Sequence, residues 1–209
     1  MNFTPVERTE FSLREKRSEF MAVLVPVQNR EAFQETLRRL RGKYATARHI
    51  CWGLAIADGQ GIQIGSSDAG EPSGSAGLPI LNQLKKARVV NAVLFVVRYF
   101  GGIKLGKKGL AAVYSRAARG VLEKANLKPW ILRGVITISG PLEFYGDITR
   151  IITKFHGRIL EDQSAETVTI VVELPCDQQE GLRAELEQNF GEQILTKKQN
   201  ERVPNQGGY

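Results

Sequence analysis

The segment FVVRYFGGIKLGKKG, residues 95–109, carries much of the information about the fold of this chain. It begins inside a β-branched apolar stretch that ends at Tyr99, which predicts a buried strand over 89–99. A glycine-rich turn follows, and apolar positions then return at helical spacing. The segment therefore predicts a strand, a turn and a helix that starts at about Gly109 and ends near Lys124.

Strand and helix patterns continue on both sides of this segment. Upstream, the pattern predicts strands at 18–27, 50–57 and 62–64, a helix at 31–41, and a second helix that Ser75 caps and that ends near Lys86. A break at 126–130 (NLKPW) separates this part from a new succession of elements over 131–196. That succession is strand, helix, strand, strand, helix, strand, which is the ferredoxin-like βαββαβ order.

We therefore predict an α+β protein of two domains. The 209 residues, 42% hydrophobic and 24% charged, are ordinary values for globular domains. The first predicted domain covers 1–129 and the ferredoxin-like domain covers 130–202. The polar tail 203–209 is predicted to be disordered.

Charge is divided unevenly between the two halves. Residues 1–130 contain 21 Lys and Arg against 10 Asp and Glu, a net charge of +11, whereas residues 131–209 contain 8 against 12, a net charge of −4. Between Glu71 and Glu123 there is no acidic residue, but there are nine cations. A surface with so little mixing of signs indicates an anionic partner for the first domain. The alternative is a basic face that is merely solvated.

The glycine turn is the predicted anion-binding site, because glycines permit close backbone approach and a helix start favours negative charge. Its predicted contacts are Arg98, Tyr99, Gly101, Gly102, Lys104, Lys107, Lys108 and Arg116. The stretch from Gly101 to Lys107 also matches G-x-x-x-x-G-K, but the next position is Lys108 rather than Ser or Thr. Without that magnesium ligand, a nucleoside triphosphatase is not the favoured interpretation.

Four other residues are candidates for chemistry. His49 and Cys51 are two apart on a predicted strand, so they face the same side, as a nucleophilic pair or as a buried thiol beside a hydrogen-bonded histidine. Asp68 and Glu71 flank Gly70 and suit acid–base catalysis, capping of the next helix, or a structural contact with Arg98 and its neighbours. No complete catalytic set, metal-ligand spacing or cofactor motif is present, so we predict no catalytic residues, no metal and no cofactor.

Several classes of protein are disfavoured. No apolar run approaches the length of a membrane span, and the N-terminus lacks the pattern of a signal peptide. Two cysteines are too few for a disulfide framework. These features favour a cytoplasmic protein without a membrane partner.

Three strings resemble the signatures of the IMPACT/YigZ family. They are RHICW at 48–52, DAGEPSGSAG at 68–77 and VVRYFGGIKLG at 96–106. The resemblance implies a first domain of the ribosomal protein S-five domain-two-like kind and a second domain related to the fifth domain of elongation factor G. It also implies a role in translation control, through RNA, ribosomal components or a protein partner.

The chain departs from the family pattern at three positions. Ala69 stands where the family has a second aspartate, which argues against a mechanism with paired carboxylates. Lys108 replaces a usual glycine, and Ala112 replaces an arginine that is often present. These changes shift the basic surface without removing it.

Three functions therefore stay open. The favoured one is a non-catalytic protein that binds nucleic acid or ribosomal elements. The second is an enzyme that acts on a small anionic substrate beside Glu71, Arg98 and Lys104. The third is a protein–protein regulator that acts through the ferredoxin-like half.

Overall fold

The computed structural model describes residues 1–57 and 61–198. The chain divides into two compact units, Met1–Trp130 and Ile131–Tyr209, and helices and strands are mixed in each. The predicted two-domain α+β class is confirmed. The predicted tail 203–209 and residues 199–202 lie outside the described residues.

In the described residues, the first unit contains seven strands and three helices. In chain order they are β1 (Asn2–Pro5), β2 (Thr9–Glu15), β3 (Ser18–Pro26), α1 (Arg30–Lys43), β4 (His49–Ala57), β5 (Ile62–Ser67), α2 (Gly77–Lys86), β6 (Ala92–Tyr99), α3 (Gly106–Lys124) and β7 (Leu127–Trp130).

Five of these strands form one antiparallel sheet in the order β2-β3-β6-β4-β5. The central strand β6 is apolar on both faces because helices cover both. On one face, α2 and α3 bury Phe20, Leu94 and Tyr114. On the other, α1 buries Val23 and Phe95. The strands predicted around residues 18–27, 50–57 and 89–99 are thus the three middle strands of a two-sided core.

Two N-terminal strands are absent from the sequence-based predictions. Strand β2 is an edge strand whose alternating residues Phe11 and Leu13 pack on the α3 side. Strand β1 pairs with β7 in a separate two-stranded sheet, in which Asn2 lies opposite Trp130. The stretch predicted as a break between domains therefore belongs to the first unit as a strand.

Helix boundaries differ from the predictions at two functionally relevant places. Helix α3 begins at Gly106, three residues earlier than predicted, so Lys107 and Lys108 belong to its first turn. Helix α2 begins at Gly77, and Ala76 rather than Ser75 is its N-cap residue. The predicted Ser75 cap is wrong, because the Ser75 hydroxyl donates to the carbonyl of Pro72 instead, at 2.6 Å.

The described part of the second unit has the predicted βαββαβ order. Its elements are β8 (Arg133–Pro141), α4 (Tyr145–Lys154), β9 (Arg158–Asp162), β10 (Thr167–Pro175), α5 (Gln179–Phe190) and β11 (Leu195–Lys198). The antiparallel sheet has the order β11-β8-β10-β9, so the first and third strands are central, as in a ferredoxin-like split βαβ arrangement. Ile138, Ile148, Ile170 and Leu182 lie in its buried core.

Candidate functional site

The register of the large sheet brings three of the predicted site residues to one face. Arg98 of β6 is paired with His49 of β4 and with Phe20 of β3. Paired residues in an antiparallel sheet point to the same side, and Cys51 follows His49 at a spacing of two. His49, Cys51 and Arg98 therefore share the face that α2 and α3 cover, as the H-x-C spacing predicts.

Tyr99 lies on the opposite face from Arg98. Its ring packs against the cluster of buried residues beneath α1, which includes Phe95 and Val97. The structure thus separates Tyr99 from the other predicted contacts of the anion site. Phe100, the next residue, is 46% exposed and lies beside Arg98, with the guanidinium carbon 5.1 Å from the ring centre.

A buried ion pair joins Glu71 to Arg98. The Arg98 Nη1 donates to Glu71 Oε1 at 2.6 Å, and the two side chains are only 6% and 4% exposed. The Tyr114 hydroxyl donates to the same carboxylate oxygen at 2.8 Å. Of the three uses considered for Glu71, the structure shows the contact with Arg98. This corrects the prediction that Arg98 contacts phosphate, because its charge is already neutralised inside the protein.

Cys51 belongs to the same buried network. Its thiol donates to the carbonyl of Asp68 at 3.0 Å and lies 3.5 Å from the Tyr114 hydroxyl oxygen. Burial raises the pKa of the Cys51 thiol to about 12, the contact with Tyr114 opposes that rise, and the carboxylates of Glu71 and Asp68 add to it. The thiol is therefore protonated at neutral pH, which is the state of a structural cysteine rather than a nucleophile.

His49 contacts the loop between β5 and α2. Its Nδ1 lies 2.8 Å from the carbonyl oxygen of Ala69. A carbonyl oxygen only accepts hydrogen bonds, so Nδ1 carries the proton in this contact. Ala69 and Gly70 both have positive φ, 45° and 87°, and a Cβ at Gly70 would lie 3.3 Å from the His49 Nδ1. His49 thus supports a tight loop conformation.

Asp68 holds that loop and caps α2. Its Oδ1 accepts hydrogen bonds from the N–H groups of Ala76 and Gly77, at 2.8 and 2.9 Å, and its Oδ2 accepts one from Gly74 at 2.8 Å. Burial by itself favours a higher pKa for the Asp68 carboxyl. The three N–H groups and the charge of Lys107 outweigh this effect, so the pKa of Asp68 lies below its ordinary value. The structure therefore shows the capping role that was one of the alternatives for Asp68.

The glycines of the turn are required for two different structural reasons. A Cβ at Gly101 would lie 2.0 Å from the carbonyl oxygen of Arg17, so the β2–β3 hairpin occupies that side. Gly102 and Gly106 have φ of +85° and +70°, and a Cβ at either would meet nothing within 4 Å. Gly101 therefore serves internal packing, which corrects its predicted role in ligand approach, whereas Gly102 and Gly106 permit the turn itself.

The β2–β3 hairpin adds two cations that the sequence analysis missed. Its two-residue turn consists of Lys16 and Arg17, with φ of 42° and 65°, the region that a type I′ hairpin turn requires. Both side chains are exposed. Because the Arg17 backbone contacts Gly101, this turn lies beside the predicted site.

The predicted cations differ in what they contact. Lys104, Lys107 and Lys108 are exposed and form no ion pair within 1–57 and 61–198. Arg116 forms a surface ion pair with Glu15 at 2.7 Å, and its side chain is 49% exposed. Lys104 in the glycine turn and Lys107 and Lys108 in the first turn of α3 are thus available to an external anion. Arg116 can bind one if the anion displaces Glu15, whereas Arg98 is not available.

In the described ranges, no group of three or more His, Cys, Asp or Glu side chains is placed to hold a metal ion. No helix in those ranges has both the length and the apolar character that a membrane crossing needs.

Comparison with known proteins agrees with the sequence motifs. Residues 16–122 match the family model described as the Impact N-terminal domain. The chain is 37% identical over 115 residues to the IMPACT family member YvyE of Bacillus subtilis, covering 55% of this chain and 52% of YvyE. It is 31% identical over 163 residues to the IMPACT family member YigZ of Escherichia coli, covering 77% of this chain and 79% of YigZ.

A solved structure shares the whole architecture. The chain is similar to a crystal structure of a hypothetical protein with a TM-score of 0.69 and 26% sequence identity, over 96% of this chain and 98% of that one. The matched region thus spans about half of YvyE but nearly all of the solved protein. Together with the family-model match over half of the sequence, these similarities show that the chain belongs to the IMPACT family.

Proposed function

We propose that the first unit is a non-catalytic module that binds RNA through Lys104, Lys107 and Lys108. The proposal rests on the exposure of all three lysines, none of which forms an ion pair among the described residues, although the charge of Lys107 also acts at longer range on the Asp68 carboxylate. Phosphate neutralisation by Lys and Arg supplies most of the affinity of such proteins for nucleic acid. On the basis of the family resemblance, we propose that this RNA is ribosomal or takes part in translation control.

The helix start reinforces the demand for an anion. The first turn of α3 contains Lys107 and Lys108, no acidic residue, and no side-chain cap at Leu105. Lysines are unfavourable there because the helix N-terminus is itself positive, at a cost of about 0.3–1 kcal/mol per charge. A phosphate group offsets this repulsion and accepts hydrogen bonds from the free backbone N–H groups.

Phe100 supplies a surface on which a base can stack. Its ring is 46% exposed and is held next to the Arg98 guanidinium. Stacking of a base on an aromatic ring adds affinity with little preference for sequence. Tyr99, a predicted contact of the anion site, packs on the other face of the sheet, so the stacking role falls to Phe100.

The groups that a catalytic function needs are already engaged. Glu71 is buried against Arg98, Asp68 caps α2, and the thiol of Cys51 is held in its neutral form. A general base must reach a substrate proton, and a nucleophilic cysteine must ionise near neutral pH. These engagements favour a binding function over an enzyme at the same loop.

The proposal is tested by charge reversal. Fluorescence anisotropy with a labelled single-stranded 15-mer RNA compares the wild type with the triple variant Lys104→Glu, Lys107→Glu, Lys108→Glu. We expect affinity to fall on the order of 100-fold or more, and the wild-type affinity to decrease steeply with salt. The matched control reverses three exposed arginines of α1, on the opposite face of the sheet: Arg30, Arg38 and Arg41. Equal affinity for the triple variant and the wild type overturns the proposed site.

A further inference from the structure

A groove runs between α2 and α3 on the outer side of the first unit. Its volume is about 690 Å³. Three of its lining residues are cationic: Lys86, Arg116 and Arg119. Three others are small, namely Ala87, Ala112 and Ser115, so a chain of atoms can approach the helix backbones closely.

The groove continues from a lysine cluster that consists of Lys104 in the glycine turn and Lys107 and Lys108 in the first turn of α3. Lys108, Ala112, Arg116 and Arg119 follow one another at spacings of four, four and three residues, which places them on one side of the helix. At a rise of 1.5 Å per residue, the row from Lys108 to Arg119 is about 16 Å long. A cationic path therefore leads from the glycine turn along α3.

The charges in the groove are available to an external anion. Lys86 is exposed and has no ion-pair partner in the part of the chain that the structure describes. Arg119 lies 3.5 Å from Glu123, and both side chains are more than 60% exposed. Arg116 is paired with Glu15 at the surface. Exposed ion pairs of this kind are weak and are screened by salt, so phosphate can replace the carboxylates.

The lining indicates a strand that is held by its backbone and not by its bases. The nine lining residues include no aromatic ring on which a base could stack. Packed helices lie about 8–10 Å apart, and a nucleic-acid duplex is wider than this, since the major groove of B-DNA alone measures about 12 Å. These dimensions favour a single strand over a duplex as the occupant of the groove.

We infer that a single strand of RNA lies along the α2–α3 groove, with its phosphates bound by Lys86, Arg116 and Arg119 without base preference. This inference rests on the proposed function and extends it, because the lysine cluster then binds one end of a longer strand. At about 3.4 Å per stacked nucleotide, the row from Lys108 to Arg119 accommodates about five nucleotides. Phe100 and the glycine turn lie at the end of the row where Lys108 is found.

The test is a length series of labelled oligouridines, of 5, 10 and 15 nucleotides, with the full chain. The groove variant is Lys86→Ala, Arg119→Ala. Its control is Arg38→Ala, Lys85→Ala, which removes the same two kinds of charge from exposed positions outside the groove. We expect the wild type and the control to gain affinity from 5 to 10 nucleotides and the groove variant to lose most of that gain. Its slope of log K against log salt should decrease by about 1.4, since each phosphate contact to a single strand contributes ~0.7.

A variant that is expected to increase the affinity distinguishes the loss of a phosphate contact from misfolding, because misfolding cannot tighten binding. Glu123→Gln removes the carboxylate from the groove, and we expect it to tighten binding of the 15-mer about twofold to threefold, in line with a modest exposed charge effect. A groove variant that matches the wild type, while the triple lysine variant loses binding, overturns the groove and leaves the proposed function intact. Absence of wild-type binding to any oligouridine overturns both. Tighter binding of a 15-base-pair duplex than of the single strand overturns the single-stranded occupant.

Discussion

Arg98 and Glu71 form an ion pair that is closed to solvent, with 2.6 Å between Nη1 and Oε1 and neither side chain more than 6% exposed. The two residues come from two of the family-like strings, one in the loop before α2 and the other at the end of β6. Tyr114 of α3 completes the contact by donating to the same carboxylate. The pair thus joins the loop, the sheet and the helix that carries the lysines.

Removal of the Glu71 charge should therefore act on stability. Glu71→Gln leaves the Arg98 charge buried without a counter-charge, and breaking a buried pair on one side costs about 3–5 kcal/mol. The free energy of unfolding of the first unit is measured in urea by tryptophan fluorescence, since the chain has two tryptophans, Trp52 and Trp130, both in this unit. The double variant Glu71→Leu, Arg98→Met should recover much of the loss. An unchanged unfolding midpoint for Glu71→Gln contradicts the structural role.

Cys51 should be unreactive in the folded protein. With a pKa of about 12, roughly one thiol in 10⁴ is ionised at pH 8. In a Cys176→Ala background, iodoacetamide should modify Cys51 only after the protein unfolds, as followed by mass spectrometry. Because the unfolded thiol ionises at about pH 8.5, stability should also decrease as the pH rises above that value. Rapid modification of the native protein at pH 8 contradicts the buried, neutral thiol.

Asp68 should contribute an acid-sensitive part of the stability. Its pKa is lower in the folded state than in the unfolded state, so the unfolded state takes up a proton first as the pH falls. The stabilisation is present above pH ~4 and is lost below it. Asp68→Asn replaces one oxygen acceptor with an NH2 group that cannot accept the Gly74 or Ala76 and Gly77 hydrogen bonds, so it should cost about 1 kcal/mol at pH 7 and should flatten the dependence of stability on pH below about 4. The same pH profile in variant and wild type contradicts the cap.

Much of this site can be predicted from short patterns in the sequence. The spacing of His49 and Cys51 places both on one strand face, and the position of Asp68 ahead of a helix indicates a cap. The apolar stretch up to Tyr99 predicts a central strand, which β6 is. These inferences succeed because each depends on residues that are near one another in the chain.

The wrong predictions about Arg98 and Arg116 arise from contacts between residues that are far apart in the sequence. Arg98 is a cation in the sequence, but its partner Glu71 lies 27 positions earlier, and the partner of Arg116 lies 101 positions earlier at Glu15. Tyr99 is a different case, because it follows Arg98 on one strand and consecutive residues point to opposite faces, so their separation was available from the sequence and was missed. The alternation of Phe11 and Leu13 in β2 is a signal that was available and was missed, because a stretch rich in charge obscures an edge strand.

Gly101 and Gly102 should respond differently to the same substitution. A Cβ at Gly101 would lie 2.0 Å from the Arg17 carbonyl oxygen, and backbone can yield only by moving the hairpin. Gly101→Ala should therefore destabilise the first unit by about 1–3 kcal/mol, as overpacking does. A Cβ at Gly102 would contact nothing within 4 Å, so Gly102→Ala should destabilise the first unit by only about 1 kcal/mol, because alanine disfavours the positive φ at this position. Equal urea midpoints for the two variants contradict the close contact between turn and hairpin.

The hairpin turn offers a further test of RNA binding that does not compromise the fold. Lys16→Asn, Arg17→Gly removes two exposed charges beside Gly101 and introduces the Asn-Gly pair that type I′ turns favour. Stability in urea should be equal to or above that of the wild type, because both positions have positive φ. Affinity for the 15-mer RNA should nevertheless fall, with a salt slope lower by up to about 1.4 if both side chains contact phosphates. Unchanged affinity and slope limit the interface to the lysines of the turn and α3.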